Sequence, residues 1–128
     1  MVVVVHHLEQ ARAALAAAAE AGCALQLRSA PGAAGYAGVG YLKALGEHAG
    51  EELLIDCGDD AGLVMAALRT GCRRLVFSGS DETGRRLADM AEQLGAELLA
   101  EAHAPDMLIL QPEDDAAAAL RRRLGAVP

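Results

Sequence analysis

A strand-loop-helix unit repeats about five times along this chain, with apolar runs beginning near residues 2, 23, 52, 74 and 97. Val2–Val5 enters His6-His7, and Leu25–Arg28 enters Ser29-Ala30-Pro31-Gly32-Ala33-Ala34-Gly35. Leu53–Ile55 enters Asp56-Cys57-Gly58-Asp59-Asp60, and Leu75–Phe77 enters Ser78-Gly79-Ser80-Asp81. Spacings of roughly 20 to 30 residues fit βα units with short connections and leave no room for a linker. Such a series specifies a largely parallel sheet, and its loops collect at the carboxyl edge of the strands, where ligands of this architecture bind.

Strand composition refines the topology. Val2–Val5, Leu53–Ile55 and Leu75–Phe77 are apolar on both faces, as central parallel strands covered by helices are. Ala24-Leu25-Gln26-Leu27-Arg28 alternates, the pattern of an edge strand with one solvated face. The expectation is therefore one domain over residues 1–128, a three-layer α/β/α sandwich with a mainly parallel five-stranded sheet in the flavodoxin-like order 2-1-3-4-5. The alternative is a half-barrel of βα units completed by a second copy. Glu97–Ala100 and Met107–Leu110 both read as strands, but the segment between them is too short for a parallel crossover. A hairpin, or one irregular segment, is expected there.

Helix signals are local and chemical. Leu8, Ala11, Leu15 and Ala18 share a face, with Gly22 as the stop. Tyr36–His48 is expected to end at Gly50, Ala61–Thr70 at Gly71, and Asp81–Leu94 at Gly95. A last helix is expected from Pro112, with Glu113, Asp114 and Asp115 in its first turn and Arg121-Arg122-Arg123 in its last, complementing the macrodipole.

Composition excludes several functions. The chain is 53% hydrophobic but 2% aromatic, so its core is aliphatic and it offers no platform on which bases stack. A net charge of −7 argues against nucleic acid and anionic membranes as partners. No apolar run approaches the roughly 18 residues of a membrane span. Three cysteines with no secretory signal before them indicate reduced thiols in a cytoplasmic protein. The Ala- and Gly-rich faces of the second helix suit self-association as a homodimer.

The candidate site residues are those of the loops. Gly32, Gly35, Gly38 and Gly40 permit close backbone approach, and Arg28 with Ser29 would add charge and a hydroxyl for an anionic or sugar-like ligand. The spacing matches neither a P-loop nor a dinucleotide fingerprint, and the same small residues serve equally for close helix packing. Asp56 ends an apolar strand, so its carboxylate either hydrogen-bonds loop amides, with Gly58 to Asp60 expected, or serves ligand binding or catalysis. Asp59 and Ser78 complete the ligand-binding set, with Asp59 or Asp60 as an ordinary helix cap. Ser80 reads as another cap. Cys57 would be a nucleophile only with a histidine in reach, and otherwise packs. His6, His7, Asp56, Glu101 and His103 lack ligand spacing, so no metal is expected, and no cofactor follows from the sequence.

Ser29-Ala-Pro-Gly-Ala-Ala34, Leu54-Ile-Asp-Cys-Gly-Asp59 and Ala66-Ala-Leu-Arg-Thr-Gly71 together resemble a group of short, functionally uncharacterised bacterial α/β proteins. That resemblance implies no site residues. A looser one is to response-regulator receiver domains. Asp56 stands where a receiver has its phospho-acceptor, Ser78 where it has its switch residue, and Gly95-Ala96 resembles the pair before its last strand. His6-His7 replaces the acidic pair that binds magnesium, and Glu101 or His103 stands near the place of the lysine. The resemblance thus implies a receiver-like scaffold without phosphoryl-transfer chemistry.

Overall fold

The computed structural model describes residues 1–100 and 107–125. In chain order the elements are β1 (Val2–Val5), α1 (Leu8–Ala21), β2 (Gln26–Ser29), α2 (Ala33–Ala37), α3 (Val39–Ala49) and β3 (Ile55–Asp56). They continue with α4 (Ala61–Thr70), β4 (Arg74–Val76), α5 (Asp81–Gln93), β5 (Glu97–Leu99), β6 (Leu108–Ile109) and α6 (Ala116–Gly125).

All strand pairing is parallel, in two three-stranded sheets ordered β2-β1-β6 and β3-β4-β5. An isolated parallel bridge between Arg28 and Leu54 joins β2 to the residue before β3. There Leu54 N–H donates to Leu27 O and Ser29 N–H donates to Leu54 O, both at 3.0 Å. The arrangement is not closed among the described residues.

The single five-stranded sheet in order 2-1-3-4-5 is therefore corrected, and with it the three-layer α/β/α sandwich, since the helices form one row along the strands. β2 lies between β1 and the second sheet, not at an edge. The alternation in Ala24–Arg28 misled because its polar position is not solvated: Arg28 is 3% exposed and its charge is met inside the protein. Among the described residues neither the expected hairpin nor an irregular segment is found, since β5 pairs with β4 and β6 with β1. β5 and β6 stand at opposite ends of the strand series, so the requirement for a long crossover between neighbouring parallel strands does not apply to them.

From β1 to β5 the chain steps in one direction, so right-handed crossovers place the intervening helices on one side. Accordingly α6 packs on α1, α1 on α3, α3 on α4 and α4 on α5, a row that follows the strands. The helix-facing core is aliphatic: Val3, Val5, Leu27, Ile55 and Leu75 meet alanines of α1 and the leucine and valine faces of α3 and α4. On the other face, by strand alternation, stand Val4, Arg28, Leu54, Asp56 and Val76, all buried.

Helix ends follow the sequence signals with two changes. Asp60 Oδ1 accepts from Gly62 and Leu63 N–H, and Ser80 Oγ from Thr83 N–H. The expected helix over 36–48 is divided into α2 and α3 because Gly38 sits at φ +90°, a conformation closed to other residues. Glu113 to Asp115 precede α6, where Asp115 Oδ1 accepts from Ala118 N–H at 3.0 Å, and Arg122 and Arg123 occupy the last turn.

Candidate functional site

The carboxyl edge is organised by one buried carboxylate. Asp56 Oδ2 accepts from Arg28 Nη2 at 2.7 Å, and the two side chains are 1% and 4% exposed. Asp56 Oδ1 accepts two loop amides, Gly32 N–H at 3.0 Å and Gly58 N–H at 2.8 Å. The Asp56 N–H donates to Ser29 Oγ at 2.9 Å. Gly58 O in turn accepts Ser78 N–H at 2.8 Å. The loops after β2, β3 and β4 are thereby tied together through Asp56 and its neighbour Gly58.

Of the candidate residues, Arg28, Ser29, Gly32 and Asp56 converge in this network. The Asp56 hydrogen bond to Gly58 matches the expected acceptor role, while the one to Gly32 was not legible, because it joins loops 24 residues apart. Ser78 joins it only through its backbone N–H, while Asp59, exposed on the loop after β3, and Gly35, exposed in α2, lie outside it. A Cβ on Gly35 would stand 3.5 Å from Leu63 Cδ1, ordinary packing distance, so that glycine marks close approach of α2 to α4. Chemically, an ion-paired carboxylate accepting two amides holds loops in place. The Asp56 carboxylate is 1% exposed, so its direct partners are the protein's own groups.

His6 and His7 are likewise engaged with backbone. His6 Nε2 lies 2.6 Å from Leu110 O and His7 Nε2 3.1 Å from Pro112 O, while His7 Nδ1 accepts Gln10 N–H as the cap of α1. These partners specify the His7 tautomer protonated on Nε2. Gln10, 2% exposed, was missed: its amide donates to Gln111 O and Asp114 O and accepts from His6 N–H. A lone glutamine on the apolar face of an alanine helix was the available signal. Glu101 and His103 lie outside the described residues, among which no cluster of three or more metal-ligating side chains occurs.

Cys57 is 1% exposed, and burial, reinforced by the adjacent Asp56 charge, pushes its thiol up to about 12. Burial raises Cys72 as well. Neither environment makes a nucleophile. At pH 8 a disulfide reagent is expected to titrate half-buried Cys23 in the native protein, and Cys57 and Cys72 only after denaturation. Native reactivity of Cys57 would contradict the packing. Because the folded pKa is raised, this thiol supports stability below its ordinary value of 9.0, and that contribution disappears as pH rises towards about 12.

Two further cavities matter. One of about 280 Å³ opens at the same carboxyl edge, between Phe77, Gly79, Ser80, Asp81, Gly84 and Arg85 on one side and Leu98–Ala100 on the other. The larger, about 430 Å³, opens at the opposite, amino edge, away from the Asp56 network. Compared with known proteins, the chain matches no protein-family model and no curated sequence.

Proposed function

We propose that this protein binds a small sugar-like or anionic ligand at the carboxyl edge of its strands. The observation that supports it most is the Asp56 network, which ties together three successive loops, the last of which, after β4, lines a cavity of about 280 Å³. A buried ion pair seldom stabilises a fold more than apolar residues of the same shape, so its use here is better explained by holding the loops in register. In this reading Arg28, Ser29, Gly32 and Asp56 are positioning residues. Ser80, Asp81 and Arg85 line the cavity next to the Phe77 ring and supply the acceptors and the cation that hydroxyls and an anionic group require. Asp59 and Ser78 are exposed on the loops after β3 and β4.

A thermal-shift and calorimetric screen with inorganic phosphate, sugar phosphates and free monosaccharides tests this directly. A ligand at 100 times its Kd should add about 2.7 kcal/mol, or roughly 8 °C for a domain of this size. Arg85→Ala, at an exposed position, should remove the shift for an anionic ligand without changing the unliganded Tm. A screen in which nothing binds removes the proposal.

A second reading is a homodimer acting as an interaction module, favoured by Tyr36 and Tyr41, the chain's two tyrosines, which are 71% and 50% exposed on α2 and α3. The consecutive strand order also suits a half-barrel that a second copy completes. No helix among the described residues is long and apolar enough to cross a membrane, which accords with a cytoplasmic binding protein. Sedimentation at increasing concentration, with Tyr36→Ser beside the native chain, decides the dimer.

A further inference from the structure

We infer that the amino-edge cavity of about 430 Å³ is a second binding site, selective for a small organic cation with an apolar body, such as a primary alkylamine. It lies at the opposite ends of β3 and β4 from the Asp56 network and shares no lining residue with the carboxyl-edge cavity.

The argument begins with its floor. Leu53, Ile55 and Cys72 line the cavity and are 4%, 2% and 5% exposed, so its base is closely packed and aliphatic and presents no charged side chain to an occupant. Gly46, Gly50 and Gly71 are among the wall residues. A Cβ on Gly46 would stand 2.8 Å from Glu51 O, and Gly71, at φ +91°, lies under the Lys43 stem. The volume is within the range of ligand pockets and well above the roughly 150 Å³ that accommodates benzene.

The electrostatics select the sign of the occupant. Both α3 and α4 end at this cavity, capped by Gly50 and Gly71, so two helix carboxyl termini present their negative ends to it. Among the lining side chains, the Lys43 ammonium is committed to Glu47 at 2.6 Å. Glu51 and Glu52 then stand against Arg73 alone. An ammonium group at the rim, with its alkyl chain over Leu53, Ile55 and Cys72, satisfies both surfaces. A carboxylate of the same size meets repulsion.

Calorimetry on the full chain at low salt, with hexylamine, hexanol and hexanoate as probes, tests the inference. Hexylamine is expected to saturate at one per chain and to bind at least about tenfold more tightly than hexanol, with hexanoate weakest and added salt narrowing the difference. The double variant Glu51→Gln/Glu52→Gln, at exposed positions, should weaken hexylamine about tenfold while leaving hexanol and the Tm unchanged. Cys72→Met, which enlarges the floor into the cavity, should weaken all three. If that variant is unfolded by circular dichroism, the charge variant decides. Hexanoate binding as well as hexylamine, absence of saturation by any probe, or indifference of hexylamine to the double variant overturns the proposal. Phosphate or sugar binding at the carboxyl edge is unaffected by any of these outcomes.

Discussion

Asp56→Ala is expected to destabilise the protein by about 3–5 kcal/mol, the usual cost of removing one partner from a buried ion pair. For a domain of this size that corresponds to a fall in Tm of roughly 10–20 °C. The substitution takes the carboxylate from Arg28, itself 3% exposed, and leaves the Gly32 and Gly58 amides without their acceptor. Asp56→Asn should fall between: an amide oxygen still accepts from a loop, but its NH2 turns a second donor towards Arg28. The sharper comparison is Arg28→Met combined with Asp56→Leu. It removes both charges, so only the loss at the two loop amides should remain, about 1–3 kcal/mol. Urea denaturation of the three variants distinguishes these values. An Asp56→Ala protein within about 1 kcal/mol of the native one would show that the network does not hold the loops.

That network also marks where the sequence was legible and where it was not. Parallel βα organisation, the stops at Gly22 and Gly71, and the caps at Asp60 and Ser80 depend on residues a few positions apart, and all appear as expected. Asp56 was identifiable as a strand-end carboxylate in need of partners. Which partners it would find depended on which strand stood beside β3. The alternating pattern of β2 was ambiguous on that point, because a buried, paired arginine and a solvated one look alike in sequence. Placing β2 at an edge followed from that ambiguity, and so did the wrong strand order. The short β5 and β6 were legible as strands, but their partners, β4 and β1, depended on the order of the whole strand series. The amino-edge cavity had no sequence signal at all, since its lining comes from the ends of α3 and α4 and the residues leading into β3 and β4, which only the fold brings together.

Two glycines of α3 should respond oppositely to the same change. In an exposed helix interior, glycine costs about 1 kcal/mol relative to alanine, so Gly→Ala ordinarily stabilises. Gly40, early in α3, has open space around a built Cβ, and Gly40→Ala should therefore raise stability by about 0.5–1 kcal/mol. Gly46 lies two turns further on, where α3 meets the chain entering β3. Its Cβ would approach Glu51 O at 2.8 Å, Leu53 N at 3.0 Å and Leu53 Cβ at 3.2 Å. Two of these three are backbone atoms that cannot swing aside, and Glu51 N–H is bonded to Gly46 O at 3.0 Å, which holds the turn against the helix. Relieving the overlap means moving Leu53, 4% exposed and part of the core, so the strain of about 1–3 kcal/mol outweighs the propensity gain. Gly46→Ala is expected to lower the Tm while Gly40→Ala raises it, each measured by thermal unfolding against the native chain. If both variants rise together, α3 does not approach β3 as closely as these distances require.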